Sequence, residues 1–366
     1  MHDIRFENNI LGFVTPDTWL GVGFNVTRQN DPIDGLFGDE RTSNLVARWQ
    51  SIAHEYQVPM MAQFHAFDVE SRTTFRVPVD THNIEKGLIK VKLNQSERMR
   101  ELLRSGVTGD RALYDYVIND GTRLAEQVVT RSKVAKNELM ATGKITIKEN
   151  NLDQTVDYGV TEEQTGFALD LSAAADIPAA IQAIVDAAMD KGVTLDGMMT
   201  SRKNLTKMRS NEAIQKAING NMGLGALVRS AALNDYLESE FGIRTVVVND
   251  QVYGADAVIG ENGRPTITQK RYFPEDKVTF FATNPGGRLG VGLWGDPPEV
   301  DVRQHLDGGA SGVSPYVYVS QWAEKDPAVL WTKASALFMP VLYNPSSLWI
   351  ATVTQGESDE PENPGE

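Results

Sequence analysis

The residues with the clearest potential for chemistry are the six of Gly290–Gly295, GVGLWG, which have the dinucleotide-binding spacing G-x-G-x-x-G. That spacing works where a strand leads into a helix whose N-terminus receives the pyrophosphate. Here Asp296 and two consecutive prolines, at positions 297 and 298, follow the last glycine and argue against a helix. The motif therefore predicts a tight glycine-rich strand or turn, and no nucleotide cofactor.

The other candidates for catalytic or metal chemistry also lack the spacing that such chemistry needs. ATGKIT, around Lys144, lacks the first glycine of a phosphate loop and has Ile145 where the magnesium-binding hydroxyl should stand. The five histidines match no H-E-x-x-H or Cys/His pattern, and GGASGV misses the G-x-S-x-G nucleophile elbow by one residue. A Ser/His/Asp triad stays open, because its members can lie anywhere in a sequence. We expect no metal site and no cofactor, and nothing in these residues needs an enzyme.

The composition indicates a globular protein with an acidic surface. With 366 residues and 41% hydrophobic content, the chain can form two or three packed units, since domains run to roughly 100–200 residues. It has no cysteine, no basic segment followed by an apolar run at its start, and no apolar stretch of about 18 residues. The net charge of −14 argues against tight nucleic-acid binding. We therefore expect a soluble intracellular protein, with an acidic disordered tail over 355–366.

Alternation at period two predicts a β-hairpin in TTFRVPVDTHNIEKGLIKVKL, residues 73–93. Apolar residues alternate with polar ones in both arms, and the polar stretch THNIEKG is the predicted turn. An isolated two-stranded ribbon is marginal in water. The question is what covers its apolar face.

The longest helix signal runs from Asp110 to Thr142, with Asp110 as its cap and Gly143 just past its end. Its apolar residues recur at steps of four and seven and form one narrow stripe, while polar and charged residues surround it. At 1.5 Å per residue the helix spans roughly 48 Å. We expect such a helix to cross a thin structure and not to be enclosed in a single core.

Shorter elements fill the rest of the chain. Before the hairpin, residues 1–56 show no long periodic element, and SERMRELLRSG after it predicts a short helix. KITIKENNLDQTVDYGV predicts a second hairpin with its turn at Asn150-Asn151. From Asp176, a helix cap, helices and strands alternate to about residue 250 in a compact α/β unit, which KVTFFATN and PGGRLGVGLWG end. From about residue 313 the pattern predicts strands again.

The order of these features resembles the major capsid protein E family of tailed phages, the lambda-like capsid proteins. The resemblance covers about residues 5–354. Its most specific residues come late in the chain: Asp326-Pro327, the strand at 336–340, Asn344-Pro345 and the apolar stretch 348–353. This family builds shells with the Hong Kong 97-type fold, so the resemblance implies an α+β chain of that fold.

The resemblance implies a division of the chain into six parts. These are an N-terminal arm (1–56), an extended hairpin loop (57–94), a peripheral domain with a long spine helix (95–175, helix about 110–142), an axial domain (176–300), a C-terminal return to the peripheral domain (301–354) and the acidic tail (355–366). The loop would reach across a neighbouring subunit, which would then cover the apolar face of the hairpin. The predicted subunit-interface residues are Phe75, Arg76, Val77, Val79, Lys86, Ile89, Lys90, Val91 and Lys92.

The function implied is that of a major capsid protein that is not an enzyme and is located in the virion. It would assemble in the host cytoplasm, as pentamers and hexamers, into an icosahedral shell around double-stranded DNA that it contacts only weakly. A separate scaffolding protein and a portal are expected partners, and a decoration protein stays open. Asn83 and Lys86 could form an isopeptide cross-link as in the fold's namesake, but we expect a non-covalent shell. Two alternatives are an encapsulin-like compartment with the same fold and a soluble α/β enzyme.

Overall fold

The computed structural model describes residues 31–52, 61–62, 64, 76, 79–98, 109–149, 151–220, 225–259, 265–302, 310–313, 316–326 and 328–354. The helices of this part of the chain are α1 (Pro32–Leu36), α2 (Gly109–Thr142), α3 (Glu162–Thr165), α4 (Ile177–Asp190), α5 (Arg202–Ser210), α6 (Glu212–Asn219), α7 (Ser230–Phe241) and α8 (Glu299–Val302).

The strands of the same residues are β1 (Phe37–Arg41), β2 (Val46–Ile52), β3 (Val79–Glu85), β4 (Gly87–Gln95), β5 (Lys144–Glu149), β6 (Leu152–Asp157), β7 (Phe167–Asp170), β8 (Gly197–Thr200), β9 (Thr245–Val248), β10 (Val252–Ile259), β11 (Pro265–Arg271), β12 (Lys277–Phe281), β13 (Gly290–Gly295), β14 (Ala310–Val313), β15 (Tyr318–Lys325), β16 (Ala328–Leu342) and β17 (Leu348–Thr354).

These elements fall into two units by their contacts. Unit 1 comprises the described residues of Met1–Arg48, Asn83–Lys136 and Val291–Val341, and unit 2 those of Trp49–His82, Asn137–Gly290 and Leu342–Glu366. Each unit is therefore built from segments that are far apart in the sequence.

Unit 1 is organised around a six-stranded sheet in the order β1-β13-β16-β15-β14, with β4 paired to β16. Strand β16 runs antiparallel to both β15 and β4. The rings of Trp294 and Phe338 pack 4.6 Å apart between centroids. Gly292 is required on β13, because an added Cβ would lie 3.0 Å from the Phe338 ring and 2.5 Å from an Asp39 carboxylate oxygen. The glycine-rich stretch is thus a strand, as predicted.

Helix α2 confirms the predicted spine helix. It begins at Gly109, so Asp110 lies inside its first turn, and it ends at Gly143, whose φ of 70° is in the left-handed region. The Gly143 N–H donates to the Leu139 carbonyl at 2.8 Å, which closes the last turn. The prediction of one narrow buried stripe is wrong for the second half, where the polar residues Lys133 and Lys136 are also buried.

Unit 2 contains a five-stranded sheet in the order β7-β17-β12-β8-β9. The predicted α/β alternation is confirmed: β8 and β9 run parallel, and apolar residues of α4, α6 and α7 pack with the sheet in one core. Asp176 caps α4 through the Ala179 N–H, and Gly242 ends α7 with a φ of 74°. Close packing fixes Gly197, whose added Cβ would lie 2.1 Å from the Phe281 ring.

Two ribbons complete unit 2. The predicted hairpin is β5–β6, in which Glu149 pairs with Leu152 and Asn151, with a φ of 66°, lies in the two-residue turn. The β10–β11 ribbon, in which Val252 pairs with Arg271, carried no signal that the sequence analysis used.

The predicted hairpin of residues 73–93 is wrong in its pairing. Strand β3 pairs with β2, and β4 pairs with β16 of the same chain. Residues 81–85 of the predicted turn THNIEKG lie inside β3, and Lys86 alone separates β3 from β4. Period-two alternation identifies strands but not their partners, so it could not distinguish a hairpin from two strands that pair elsewhere.

Three further expectations need correction. Residues 31–52, where the sequence shows no long periodic element, form α1, β1 and β2. β13 pairs in the sheet of unit 1, although the sequence placed it at the end of the α/β unit, and β17 lies in the sheet of unit 2 instead of returning with the other C-terminal strands. The short helix expected in SERMRELLRSG and the acidic tail fall mostly or wholly outside the described residues, and the six-part division stays a prediction.

Candidate assembly site

The base of the β2–β3 ribbon is held by a buried lysine. Lys86 is 3% exposed, and its Nζ donates to the carbonyls of Thr42 (3.0 Å), Asn44 (2.7 Å) and Trp294 (3.2 Å). The Lys86 N–H also donates to the Leu45 carbonyl at 3.0 Å. Residues 45 and 86 flank the ribbon, so these bonds close its base and attach it to β13.

The environment of Lys86 is polar, but no carboxylate of the described residues is bonded to its ammonium group. Burial lowers the pKa of Lys86, and the nearby Asp296 carboxylate opposes this shift by attraction. Asp296 itself forms an ion pair with Arg41 on β1. Three carbonyl acceptors use all three protons of the ammonium group, which is the arrangement that makes a buried lysine tolerable.

A second buried lysine, Lys136, bonds α1 and β1 to α2. Lys136 on α2 has a side chain that is 1% exposed and lies 3.0 Å from the Asp34 carboxylate and 2.9 Å from that of Asp39. It also donates to the Phe37 carbonyl at 3.2 Å. Helix α1 and strand β1 are thereby bonded to the spine helix through charged groups.

Asp31 extends the same buried cluster. Burial raises the pKa of its carboxyl group, although the hydrogen bond from the Ile33 N–H and the attraction of Lys133 act in the opposite direction. The Lys133 ammonium lies 3.7 Å from Asp31 and 3.8 Å from Asp34. The cluster therefore joins the start of α1 to the second half of α2.

Strand β4 offers an open edge. Among the described residues it pairs with β16 and with no second strand. Its Leu88 and Leu93 side chains are each 40% exposed. An edge strand with free backbone groups and exposed leucines is suited to pairing with another chain.

Glu299 bonds one side of β4 to the rest of unit 1. The Glu299 carboxylate lies 3.0 Å from the Lys90 ammonium and 2.5 Å from that of Lys333, and accepts a hydrogen bond from the Ser335 hydroxyl at 3.3 Å. Burial alone would raise the pKa of Glu299. Hydrogen bonds from Lys333, from its own backbone and from Lys90 outweigh that effect and lower the pKa to about 2. Glu299 is therefore ionised and joins α8, β4 and β16.

A stack of side chains continues across the same sheet. The Lys92 ammonium lies 4.4 Å from the centroid of the Trp331 ring, which stacks on Trp322 at 6.3 Å. A cation over an aromatic face contributes about 0.5–1 kcal/mol at exposed sites. Lys92 is thus ordered by its own chain while its side chain stays exposed.

The nine predicted interface residues differ in whether the structure describes them and in where it places them. Phe75 and Val77 lie outside the described residues, Arg76 is exposed, and Val79 belongs to β3. Ile89 and Val91 are half-buried on β4, where Lys90 and Lys92 have the partners given above.

The prediction that Lys86 is a surface residue of an interface is wrong, since its ammonium group is buried within unit 1. It is also not free at a loop tip, where the isopeptide alternative with Asn83 would need it.

Sequence reasoning missed the buried lysines of α2 and the central position of Glu299. Lys136 follows Val128 and Ser132 at steps of four, on a face that the structure buries, and that spacing is a signal that could have been read. Glu299 had no such signal, because its partners are on β4 and β16.

Within the ranges that the structure describes, no group of three or more His, Cys, Asp or Glu residues could hold a metal ion. No helix in those ranges is both long and apolar enough to cross a membrane.

Comparison with known proteins identifies a single family. The family model described as "Phage major capsid protein E" matches residues 61–353. No curated protein matches the chain.

Two solved structures are similar to this chain. The chain is similar to the crystal structure of a protein assigned as the capsid protein of a prophage of E. coli CFT073, with a TM-score of 0.55 and 13% identity over 93% of this chain and 99% of the other. A structure from Mycobacterium phage Cain matches with a TM-score of 0.47 and 10% identity, over 90% of this chain and 92% of the other. The first match confirms the predicted α+β fold of phage capsid proteins.

Proposed function

We propose that this chain, which belongs to the phage major capsid protein E family, closes into an icosahedral shell of pentamers and hexamers around double-stranded DNA. Family membership confirms the prediction of a structural, non-enzymatic capsid protein of the virion. The observation that carries the proposal is the family match over most of the chain, and the β2–β3 ribbon and open β4 edge supply plausible means of contact between copies.

The extended loop of the proposal is the β2–β3 ribbon together with residues 53–78 between its strands. These bounds differ from the predicted 57–94, because residues 87–95 form β4 in the sheet of unit 1. The loop would pack on a neighbouring copy, and Lys86 would hold its base at a constant angle. Arg76, exposed in this segment, stays a candidate contact residue.

Strand β4 would supply the second contact. Its open edge and exposed leucines would pack against the loop or arm of another copy, which buries apolar area and pairs the free backbone groups. Ile89, Lys90, Val91 and Lys92 remain proposed interface residues on this strand.

The proposed partners are other copies of this chain, a separate scaffolding protein and a portal, while a decoration protein stays open. Assembly would take place in the host cytoplasm. The net charge of −14 supports weak contact with the packaged DNA, because a strongly acidic protein does not attract phosphates over most of its surface. An encapsulin-like compartment is the competing function for the same fold.

The test is to express the chain, measure its size in solution and image it by negative-stain electron microscopy. We expect closed shells, or rings of five or six copies. A stable 40.3 kDa monomer that assembles neither alone nor with a scaffolding protein from the same phage would contradict the proposal. Shells that fill with a cargo enzyme instead of DNA would favour the compartment.

A further inference from the structure

A basic basin of about 620 Å³ opens on unit 2, in a chain that is acidic overall. Its cations lie on the first two turns of α5 and at the end of β11, and they are Arg202, Lys203, Lys207 and Arg271. Two carboxylates, Asp250 and Glu275, share the same lining. The lining therefore carries an excess of positive charge that its own residues do not neutralise.

The two carboxylates hold the cations in place but do not neutralise all of their charge. Glu275 receives the Arg271 guanidinium at 2.7 Å and the Lys203 ammonium at 3.0 Å. Asp250 receives Arg271 at 3.3 Å and Arg202 at 3.4 Å. The hydrogen bond from Lys203 is the main cause of a lowered pKa of Glu275. An additional anion would meet side chains that are already positioned.

The described chain ends beside this basin. The Val353 N–H donates to the Asp276 carbonyl at 2.7 Å, and Lys277 donates to the Thr352 hydroxyl at 2.8 Å. Strand β17 thus leaves its sheet at Thr354, next to the residues that directly follow Glu275. The carbonyl of Glu275 is in turn bonded to Asn204 of α5 at 2.8 Å.

The segment that continues from this point has the complementary charge. Residues 355–366, QGESDEPENPGE, contain five carboxylates and no lysine or arginine. At about 3.3–3.6 Å per residue, the first few residues are enough to reach a basin adjacent to Thr354. A tethered segment also has an effective concentration in the millimolar range, far above that of most free polyanions.

We propose that the acidic segment 355–366 binds in this basin of its own chain, with its carboxylates paired to the cations of α5 and β11. The contact covers a basic surface that would otherwise attract nucleic-acid phosphates. It is independent of the shell geometry proposed above, because all its parts belong to unit 2 of one chain.

The test uses cysteine pairs, which are specific because the chain contains no cysteine. Thr206→Cys places a thiol in the lining of the basin, and Ser358→Cys places one in the acidic segment. The matched control pairs Ser358→Cys with Ser239→Cys, an exposed site near the end of α7. Helix α7 ends before the start of β9, whereas the basin lies beyond the ends of β8 and β9, so the two sites are at opposite ends of these strands.

We expect the 206–358 disulfide to form within one chain about tenfold faster than the 239–358 disulfide, as tethered binding predicts. High salt should slow the 206–358 disulfide several-fold and leave the 239–358 rate unchanged, because screening weakens the ion pairs and does not move the tether. Neutralising the segment should do the same, with the changes Glu357→Gln, Asp359→Asn, Glu360→Gln and Glu362→Gln.

Three results would overturn the proposal. The first is equal rates for the two cysteine pairs, and the second is a 206–358 link that forms only between copies. The third concerns the reaction of the thiol at 206 with maleimide. If a DNA duplex protects this thiol, and the reaction rate is the same with the acidic segment intact or neutralised, the basin would be assigned to nucleic acid.

Discussion

Unit 1 and unit 2 hold remote segments of the chain together by different means. In unit 1 the contacts are buried lysines: Lys86 joins the ribbon base to β13, and Lys136 joins α1 and β1 to the spine helix. In unit 2 the core is apolar, and its buried polar residues are neutral, such as Asn211, which caps α6 and donates to three carbonyls. We infer that the buried charges of unit 1 fix the orientation of the segments that they join. A buried charge is stable only in a geometry that pairs it with its partners.

The largest effect is expected from breaking the charged contact of α2. Lys136→Ala leaves the Asp34 and Asp39 carboxylates without their shared cation and should lower the free energy of unfolding by about 3–5 kcal/mol. Chemical denaturation measures it. Lys148→Ala, on an exposed pair of the β5–β6 hairpin, is the control and should change stability by about 0–1 kcal/mol. Similar losses for both variants would remove the distinction between the two kinds of contact.

Unit 2 should instead be sensitive to volume. Gly197→Ala forces a Cβ to within 2.1 Å of the Phe281 ring, and the resulting overpacking should cost about 1–3 kcal/mol. Gly35→Ala is the matched control, because nothing lies within 4 Å of its added Cβ. Thermal unfolding of both variants checks the prediction. A neutral Gly197→Ala would mean that the sheet of unit 2 is less tightly packed than described.

A smaller, pH-dependent effect is expected at Glu299. Its pKa falls from 4.5 to about 2 on folding, so its ion pairs stabilise unit 1 above pH 4.5, and that stability is lost as the pH falls from 4.5 towards 2. Glu299→Gln should therefore cost about 1–2 kcal/mol near neutral pH and progressively less over that range. Denaturation curves at several pH values measure this. A pH-independent loss at 299 would contradict the ion-pair account.

The sequence predicted most where signals are local. The cap Asp176, the helix-ending Gly143, the turn at Asn151 and the length of the spine helix were all readable, because a cap or turn depends on residues within a few positions. The pairing of β4 with β16 was not readable, since more than 200 residues separate their sequences and alternation is the same for any partner. Lys86 was misassigned for the same reason: its three acceptors lie on β13 and in the turn before β2.

The order of elements along the whole chain predicted the family even though individual pairings were wrong. That order survives errors in pairing, because the long helix, the α/β unit from Asp176 and the late strands were located correctly, although α1, β1, β2 and the β10–β11 ribbon were not. The candidate interface was less predictable, since exposure depends on which distant segments cover a strand.

The central claim is that Lys86 fixes the base of the ribbon for assembly. Its most direct test is the yield of assembled shells from Lys86→Met, in which the side-chain volume is kept and the three carbonyls lose their donor. Circular dichroism should show a folded chain, because the expected cost is about 1–3 kcal/mol, while electron microscopy and sedimentation should show a large loss of shells relative to the exposed control Lys148→Met. Shell yields equal to those of the control, from an equally folded chain, would contradict the claim.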